Sequence, residues 1–178
     1  WSVKTPKPFK IPVASPVQMS EDRLFITGGL GVGCLILKVT KDGGQWRQEW
    51  VLNGNACASF LHDPVLYQEH LYVTSLKEHG GKGVGLVCVD LEGKLCWQSG
   101  PGMQFDMGSL LVADGLIFVM HGKSGELHLV EASAKGYRLL SKAKVLEGEG
   151  ATVWAPMALS EGKLIVRDQR QMKCLDVR

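Results

Sequence analysis

The amino-acid sequence predicts an all-β fold made of antiparallel sheets that follow one another along the chain. Short runs of β-branched, aliphatic and aromatic residues alternate with turns rich in Gly, Asp and Pro, which is the pattern of strands joined by hairpins. The 22 glycines among 178 residues form no low-complexity tract, and this favours many tight turns. A third observation, the repetition of the whole pattern, sets the architecture.

Each copy of the repeat opens with a small or acidic residue, followed by a short apolar run, a polar turn pair and a second strand. Two more strands follow, in most copies across a turn that contains Gly. The copies recur at intervals of roughly 47 residues, and they begin at Ser15, Asp63, Ser109 and Ala155. Four strands at this spacing indicate the blades of a β-propeller, in which twisted sheets bury their faces against one another.

The repeat predicts a single β-propeller segment, 1–178, of about four four-stranded antiparallel blades. Three blades are expected to be complete and a fourth to lack its closing strand. The predicted bounds are about 15–52, 63–99 and 109–146 for the complete blades and 155–177 for the partial one.

Tryptophans mark the ends of the outermost strands. Trp50 and Trp97 stand shortly before the next copy and are expected to be equivalent packing positions between blades. Trp1 stands at a similar distance before the first copy, so residues 1–4 are predicted to be a closing strand. Such a strand would remove an open sheet edge. Three arrangements allow this: a closed four-bladed ring, a homodimer in head-to-tail pairing, or pairing with the missing half of a larger propeller through the open strand edges.

The overall composition excludes some partners. The formal net charge of +2 gives no electrostatic reason to expect nucleic acid. No apolar run approaches the roughly 18 residues that a membrane span needs. The five histidines lack metal-ligand spacing, so no metal site is predicted. The five cysteines lie in or beside apolar runs, which predicts buried, unpaired thiols.

Two Gly-rich loops, 28–33 and 80–85, occupy the same position in successive copies. The first lacks the last Gly of a dinucleotide fingerprint and leads into a β-type run rather than a helix. The second lacks the Gly-Lys-Ser/Thr ending of a phosphate-binding loop. Both are therefore interpreted as hairpin loops.

The stretch from Val89 to Trp97 resembles the Ala-Leu-Asp-x-x-Gly-x-x-x-Trp motif of PQQ-like, or quinoprotein-type, β-propeller repeats. The start of this motif recurs at Leu175-Asp176, whereas Lys38 replaces its Asp in the first copy. The repeats cover essentially the whole chain, which is similar to the C-terminal half of a longer propeller of this family. The resemblance implies the propeller fold and suggests a periplasmic or secreted location.

The PQQ-like family includes PQQ-dependent dehydrogenases of alcohols and sugars as well as non-catalytic scaffold proteins. The dehydrogenases carry an adjacent Cys-Cys pair beside the quinone, and no two cysteines are adjacent in this chain. We therefore expect a non-catalytic binding or scaffold module that needs no cofactor. The alternative is a fragment of a PQQ-dependent dehydrogenase, for which PQQ and calcium would be the cofactors.

Candidate binding residues are those that the repeat itself does not require. Propellers bind partners through loops at the mouth of the central channel, so residues before the innermost strands and at an unusual polar tip are the candidates. A protein partner or a small ligand is expected there. The predicted binding residues are His62, Asp63, Gln104, Asp106, Trp154, Asp168 and Arg170, and no catalytic set is predicted.

Overall fold

The computed structural model describes residues 1–10, 13–54, 56–76, 85–100, 102–148, 150 and 152–178. Most of the second Gly-rich loop, 80–85, lies outside the described residues. The first sheet contains β1 (Val17–Gln18), β2 (Arg23–Gly28), β3 (Gly33–Asp42) and β4 (Gln45–Gly54). The second contains β5 (Val65–Tyr67), β6 (His70–Ser75), β7 (Gly85–Val89) and β8 (Leu95–Gln98). The third contains β9 (Leu110–Ala113), β10 (Leu116–Met120), β11 (Glu126–Glu131) and β12 (Leu139–Lys144). The last contains β13 (Ala158–Ser160), β14 (Lys163–Arg167) and β15 (Met172–Asp176).

Every sheet is an antiparallel meander in which each strand pairs with the strand next to it in sequence. The first three sheets have four strands and the last has three, which confirms the all-β prediction and its strand counts. No sheet of the described part closes on itself.

A β-bulge recurs at one position in each four-stranded sheet. It interrupts the pairing of the third strand with the fourth, between Ile36 and Leu37, between Cys88 and Val89, and between Leu129 and Val130. A bulge increases the local twist of a sheet and bends its outer strand. The three complete sheets therefore share a distortion as well as a strand order.

Consecutive sheets pack face to face around three hydrophobic cores. The first core joins the first and second sheets, the second core joins the second and third, and the third core joins the third and last. Successive side chains of a central strand point to opposite faces of its sheet and so enter two different cores. In β10, Ile117 and Val119 belong to the second core, while Phe118 and Met120 belong to the third. The sheets thus form a continuous stack in chain order.

The two strand-end tryptophans are not equivalent, contrary to the prediction. Trp97 pairs with Cys88 and donates a hydrogen bond of 2.7 Å from its Nε1 to the Ser133 carbonyl, which fastens the second sheet to the third. Trp50 instead pairs with Leu37. The longer β3–β4 hairpin changes the register of β4, so Trp50 lies on the face opposite the second sheet.

Residues 1–10 form no strand and pack on the outer side of the first sheet. Trp50 Nε1 donates to the Lys4 carbonyl over 2.9 Å, Lys7 Nζ donates to the Val32 carbonyl over 3.1 Å, and the Phe9 ring lies against Gly28. The predicted closing strand, residues 1–4, therefore pairs with no strand in the part of the chain that the structure describes. The altered register of β4 turns the Trp50 indole towards residues 1–10, and the hydrogen bond from this indole to Lys4 holds the segment there.

Candidate functional site

Four chain segments that lead into the first strands of the four sheets meet at one place, and we call them the entrance segments. They precede β1, β5, β9 and β13 and belong to the four different sheets. Together they line a cleft of about 370 Å³, the inner cleft. The lining residues are Val13, Ser15, Leu61, His62, Asp63, Val65, Ser109, Leu110, Pro156 and Met157.

Hydrogen bonds between entrance segments hold this convergence together. The Ser15 backbone N–H donates to Asp63 Oδ1 over 2.5 Å, which joins the first and second segments. The Ser109 hydroxyl donates to the Ala155 carbonyl over 3.1 Å, which joins the third and fourth. The walls of the inner cleft are therefore connected by polar contacts as well as by the apolar cores beneath them.

His62 occupies the junction between three of the segments. Its Nε2 lies 3.1 Å from the Met107 carbonyl, so this nitrogen carries the proton, and the Trp154 carbonyl also lies near the ring. Burial lowers the pKa of His62, and the two carbonyls and the Asp63 carboxylate only partly offset that effect. The imidazole is therefore neutral near pH 7 and acts as a hydrogen-bond donor.

The segment that carries His62 is itself well anchored. The Ser59 hydroxyl donates to the His62 carbonyl over 2.6 Å, and the Ser59 N–H donates to Thr27 Oγ1 over 3.1 Å. Thr27 Oγ1 in turn donates to the Gly33 carbonyl. This chain of bonds connects the His62 backbone to the buried end of β2.

A second cleft, of about 340 Å³, lies beside the last entrance segment. It is lined by Thr152, Trp154, Ala155, Pro156, Arg167, Asp168 and Gln169. Trp154 is 40% exposed. Asp168 is buried, and its carboxylate accepts hydrogen bonds from the N–H groups of Arg170 and Gln171. These bonds hold the pKa of Asp168 below its usual value, so Asp168 shapes the tip rather than presenting a free carboxylate.

Asp106 is turned towards the β10–β11 hairpin. Its carboxylate lies 3.2 Å from Lys123 Nζ and 3.6 Å from His121 Nε2. The next residue is Met107, whose carbonyl meets His62, and both Asp106 and Met107 have positive φ angles of 44° and 62°. Asp106 therefore does not face the inner cleft but connects the segment that contacts His62 to the β10–β11 hairpin.

The structure thus separates the predicted binding residues into groups. His62 and Asp63 line the inner cleft, and Trp154 and Asp168 line the second cleft. Gln104 and Arg170 are exposed and line neither cleft. Met107 and Met157 were not predicted, because an apolar side chain or a carbonyl at a loop has no signal in the sequence. Arg167 was not predicted either, because it is the last residue of a strand, β14, and not part of a loop.

No protein-family model matches the chain, and no curated protein matches it. Within the described ranges, no group of three or more His, Cys, Asp or Glu side chains is arranged to hold a metal ion. The described part also has no helix that is long and apolar enough to cross a membrane.

Proposed function

We propose that the chain is a segment of a β-propeller of PQQ-like repeats and serves as a non-catalytic binding or scaffold module. The observation that carries this proposal is the convergence of four entrance segments on the inner cleft. In a propeller the innermost strands surround the central channel, and the loops at its mouth are where ligands and partners bind.

The propeller interpretation is supported by the continuous stack of sheets and by the recurring bulge. Each sheet follows the previous one in chain order and shares a core with it. Twisted sheets that stack in chain order are also the arrangement of propeller blades, and the bulge at the same position in the three four-stranded sheets indicates repeats of one unit. The motif from Val89 to Trp97 supports the same assignment from the sequence.

The chemistry of the inner cleft favours binding over proton transfer. Asp63 is the one charged side chain among the described lining residues, and one of its oxygens already accepts from the Ser15 N–H. The His62 imidazole already donates a hydrogen bond to a backbone carbonyl. Most other lining side chains are apolar, among them Leu110 and Met157. The cleft therefore suits a small ligand or a partner side chain with an apolar body and a hydrogen-bond donor or cationic group.

The open sheet edges are the second feature of the proposed function. The last sheet has three strands, and the outer edge of β15 has no partner strand among the described residues. A homodimer or a missing propeller half would cover that edge by adding a strand. No cofactor is needed in either arrangement.

Binding at the inner cleft is tested with a panel of short peptides and monosaccharides, measured by isothermal titration calorimetry. Asp63→Asn keeps an acceptor for the Ser15 N–H but removes the charge, and it is expected to weaken cationic ligands about tenfold. Asp42→Asn is the matched control, because Asp42 pairs with Arg47 on an exposed hairpin. Affinities that both variants leave unchanged would contradict the proposal.

The alternative, a fragment of a PQQ-dependent dehydrogenase, has its own test. The protein is incubated with PQQ and calcium and assayed with an artificial electron acceptor over alcohols and sugars. The binding-module proposal predicts no turnover above that of the same mixture without protein. Turnover that disappears in His62→Ala or Asp63→Asn would replace it with the enzyme interpretation.

A further inference from the structure

Two cysteines that are distant in sequence come together inside the first hydrophobic core. Cys34 is the second residue of β3, and Cys57 lies on the entrance segment that follows β4. Both belong to the same core cluster, and their exposed fractions are 0% and 1%. Neither thiol contributes to the inner cleft, so the proposed function leaves the pair unexplained.

The backbone around Cys34 brings Cys57 to it. Cys34 pairs with Thr27 on one side and with Gly54 on the other, and a Cβ placed on Gly54 would lie 3.5 Å from Cys34 Sγ. The chain then folds back, because the Ser59 N–H donates to Thr27 Oγ1 over 3.1 Å. The segment is thus fixed to the same place at Gly54 and at Ser59, and Cys57 lies between these two anchors.

The two thiols lie in the same hydrophobic core cluster and affect each other's pKa. The hydrogen bond from Cys57 lowers the pKa of Cys34 to about 6, and the same contact together with burial raises the pKa of Cys57. Thr27 also contacts the Cys57 thiol. The two thiols share one core cluster, and Cys57 lies between the anchors at Gly54 and Ser59, which places the pair for bond formation.

We propose that Cys34 and Cys57 are a disulfide-forming pair that closes when the chain folds in the presence of a small disulfide oxidant such as oxidised glutathione. The Cys34 thiolate attacks one sulfur of the oxidant, whose S–S bond breaks and releases one glutathione thiolate. The Cys57 thiol then loses its proton and attacks the Cys34 sulfur of the mixed disulfide, and the second glutathione leaves. The protein loses two hydrogen atoms and the oxidant is reduced to two thiols.

Burial determines when this exchange takes place. With both sulfurs inside the core of the folded chain, the oxidant reaches Cys34 during folding or during local opening of the segment after β4. Once formed, the bond is shielded from reductants by the same core. Cys174 provides the contrast, because it is exposed on the last sheet and has no cysteine partner among the described contacts.

The bond would also affect the site. Cys57 precedes His62 on one entrance segment, and Ser59 between them donates to the His62 carbonyl. A covalent link from Cys57 to β3 therefore fixes the base of the inner cleft to the first sheet. Oxidation should reduce the amide hydrogen exchange of the described residues 56–63 without changing that of β13–β15.

Peptide mapping tests the proposal directly. The full chain is refolded with reduced and oxidised glutathione, alkylated and digested with trypsin, which leaves Cys34 in the peptide 24–38 and Cys57 in the peptide 48–77. The expected result is a linked pair of these two peptides with a mass lower by two hydrogen atoms. Recovery of both peptides in alkylated form, or their linkage to peptides that carry other cysteines, would overturn the proposal.

Thermal unfolding of the same material supplies a second measurement. Oxidised wild-type protein should unfold about 5–10 °C above the reduced protein, because the bond closes a long loop. Cys57→Ser should remove that difference, whereas Cys174→Ser should keep it. If Cys57→Ser does not fold, the oxidised and reduced wild-type proteins still provide the comparison, and equal unfolding temperatures for them would count against the bond.

Discussion

The first and last sheets occupy the two ends of the same stack, yet their outer faces differ. On the first sheet Leu35 and Leu37 are 0% and 3% exposed, and residues 1–10 pack on that side. On the last sheet Met172 is 70% exposed and Cys174 is exposed as well. The alternation of residues along the strands is enough to form both sheets. Burial of their outer faces depends on whether another segment packs against them.

The third sheet shows what covers such a face when a neighbour is present. Its central row packs against the last sheet in the third core. The last sheet has an equivalent row of three cross-strand partners on its outer face. Its side chains are smaller than those of the third sheet, and no neighbouring sheet covers them in the described part. The two rows are Leu111, Phe118 and Leu129 in the third sheet, and Ala158, Ile165 and Cys174 in the last. The last sheet thus exposes a row whose counterpart in the third sheet is covered.

The largest expected effect comes from truncating the covered face of the first sheet. Leu35→Ala removes a fully buried side chain and should lower the free energy of unfolding by about 3 kcal/mol. Met172→Ala, the matched change on the last sheet, should lower it by less than about 0.5 kcal/mol. Urea unfolding of both variants measures the difference, and equal losses would mean that the last sheet is also covered in solution.

A smaller effect is expected from the segment that covers the first sheet. Phe9→Ala removes the ring that lies against Gly28 and should cost about 1–2 kcal/mol. Lys10→Ala is the control, because Lys10 is exposed in the same segment. If the two variants have the same urea midpoint, residues 1–10 do not protect the first sheet.

Acid should affect the entrance segment of the second sheet and the last sheet in different pH ranges. Burial puts the pKa of His62 below 6.5, so the unfolded chain takes up a proton first as the pH falls. The contribution of His62 to stability is therefore complete above about pH 6.5 and is lost as the pH falls towards its folded-state pKa.

His62→Gln should consequently flatten the loss of stability between pH 7 and pH 5. Part of the loss of stability should remain in this variant, because burial also lowers the pKa of His128. In the last sheet, Arg178 and Lys163 lower the pKa of the exposed Asp176, so its contribution disappears only in stronger acid. Thermal unfolding measured at several pH values checks this order. An unchanged pH dependence in His62→Gln would contradict the burial of His62.

The smallest effect on stability is expected for Met172→Lys. The exposed side chain makes few contacts, so the free energy of unfolding should change by less than about 0.5 kcal/mol. Self-association should fall, because the charge interrupts an apolar face beside an open strand edge. Sedimentation velocity over a range of concentrations measures this. A wild-type protein that remains a 19.4 kDa monomer throughout would contradict pairing through this face.

The strands and their grouping into sheets follow from the sequence because alternation and turn residues are local signals. The four copies starting at Ser15, Asp63, Ser109 and Ala155 each lead into the first strand of a sheet. The register of Trp50 was not predictable in this way, since it depends on hairpin length and on a bulge in β4. The position of residues 1–4 also depends on that register.

The candidate site was predictable only in part. His62 and Trp154 were found because they depart from the repeat, and Asp63 was found because it stands beside His62 at the entrance to a strand. The contact of His62 with the Met107 carbonyl joins the second entrance segment to the third, and no spacing rule encodes such a contact. Asp106 was selected because it lies in an entrance segment, but its carboxylate pairs with Lys123 on the neighbouring hairpin. The directions of side chains in loops depend on tertiary contacts of this kind.

Methyl NMR of methionine-labelled protein tests the central claim, that binding takes place where the entrance segments meet. Met157 lines the inner cleft, and Met172 lies on the exposed outer face of the last sheet, so the two methyl groups report on the competing surfaces. Titration with the peptide and monosaccharide panel should shift the Met157 signal and leave Met172 in place. Shifts confined to Met172, or a Met157 signal that no member of the panel moves, would contradict the account.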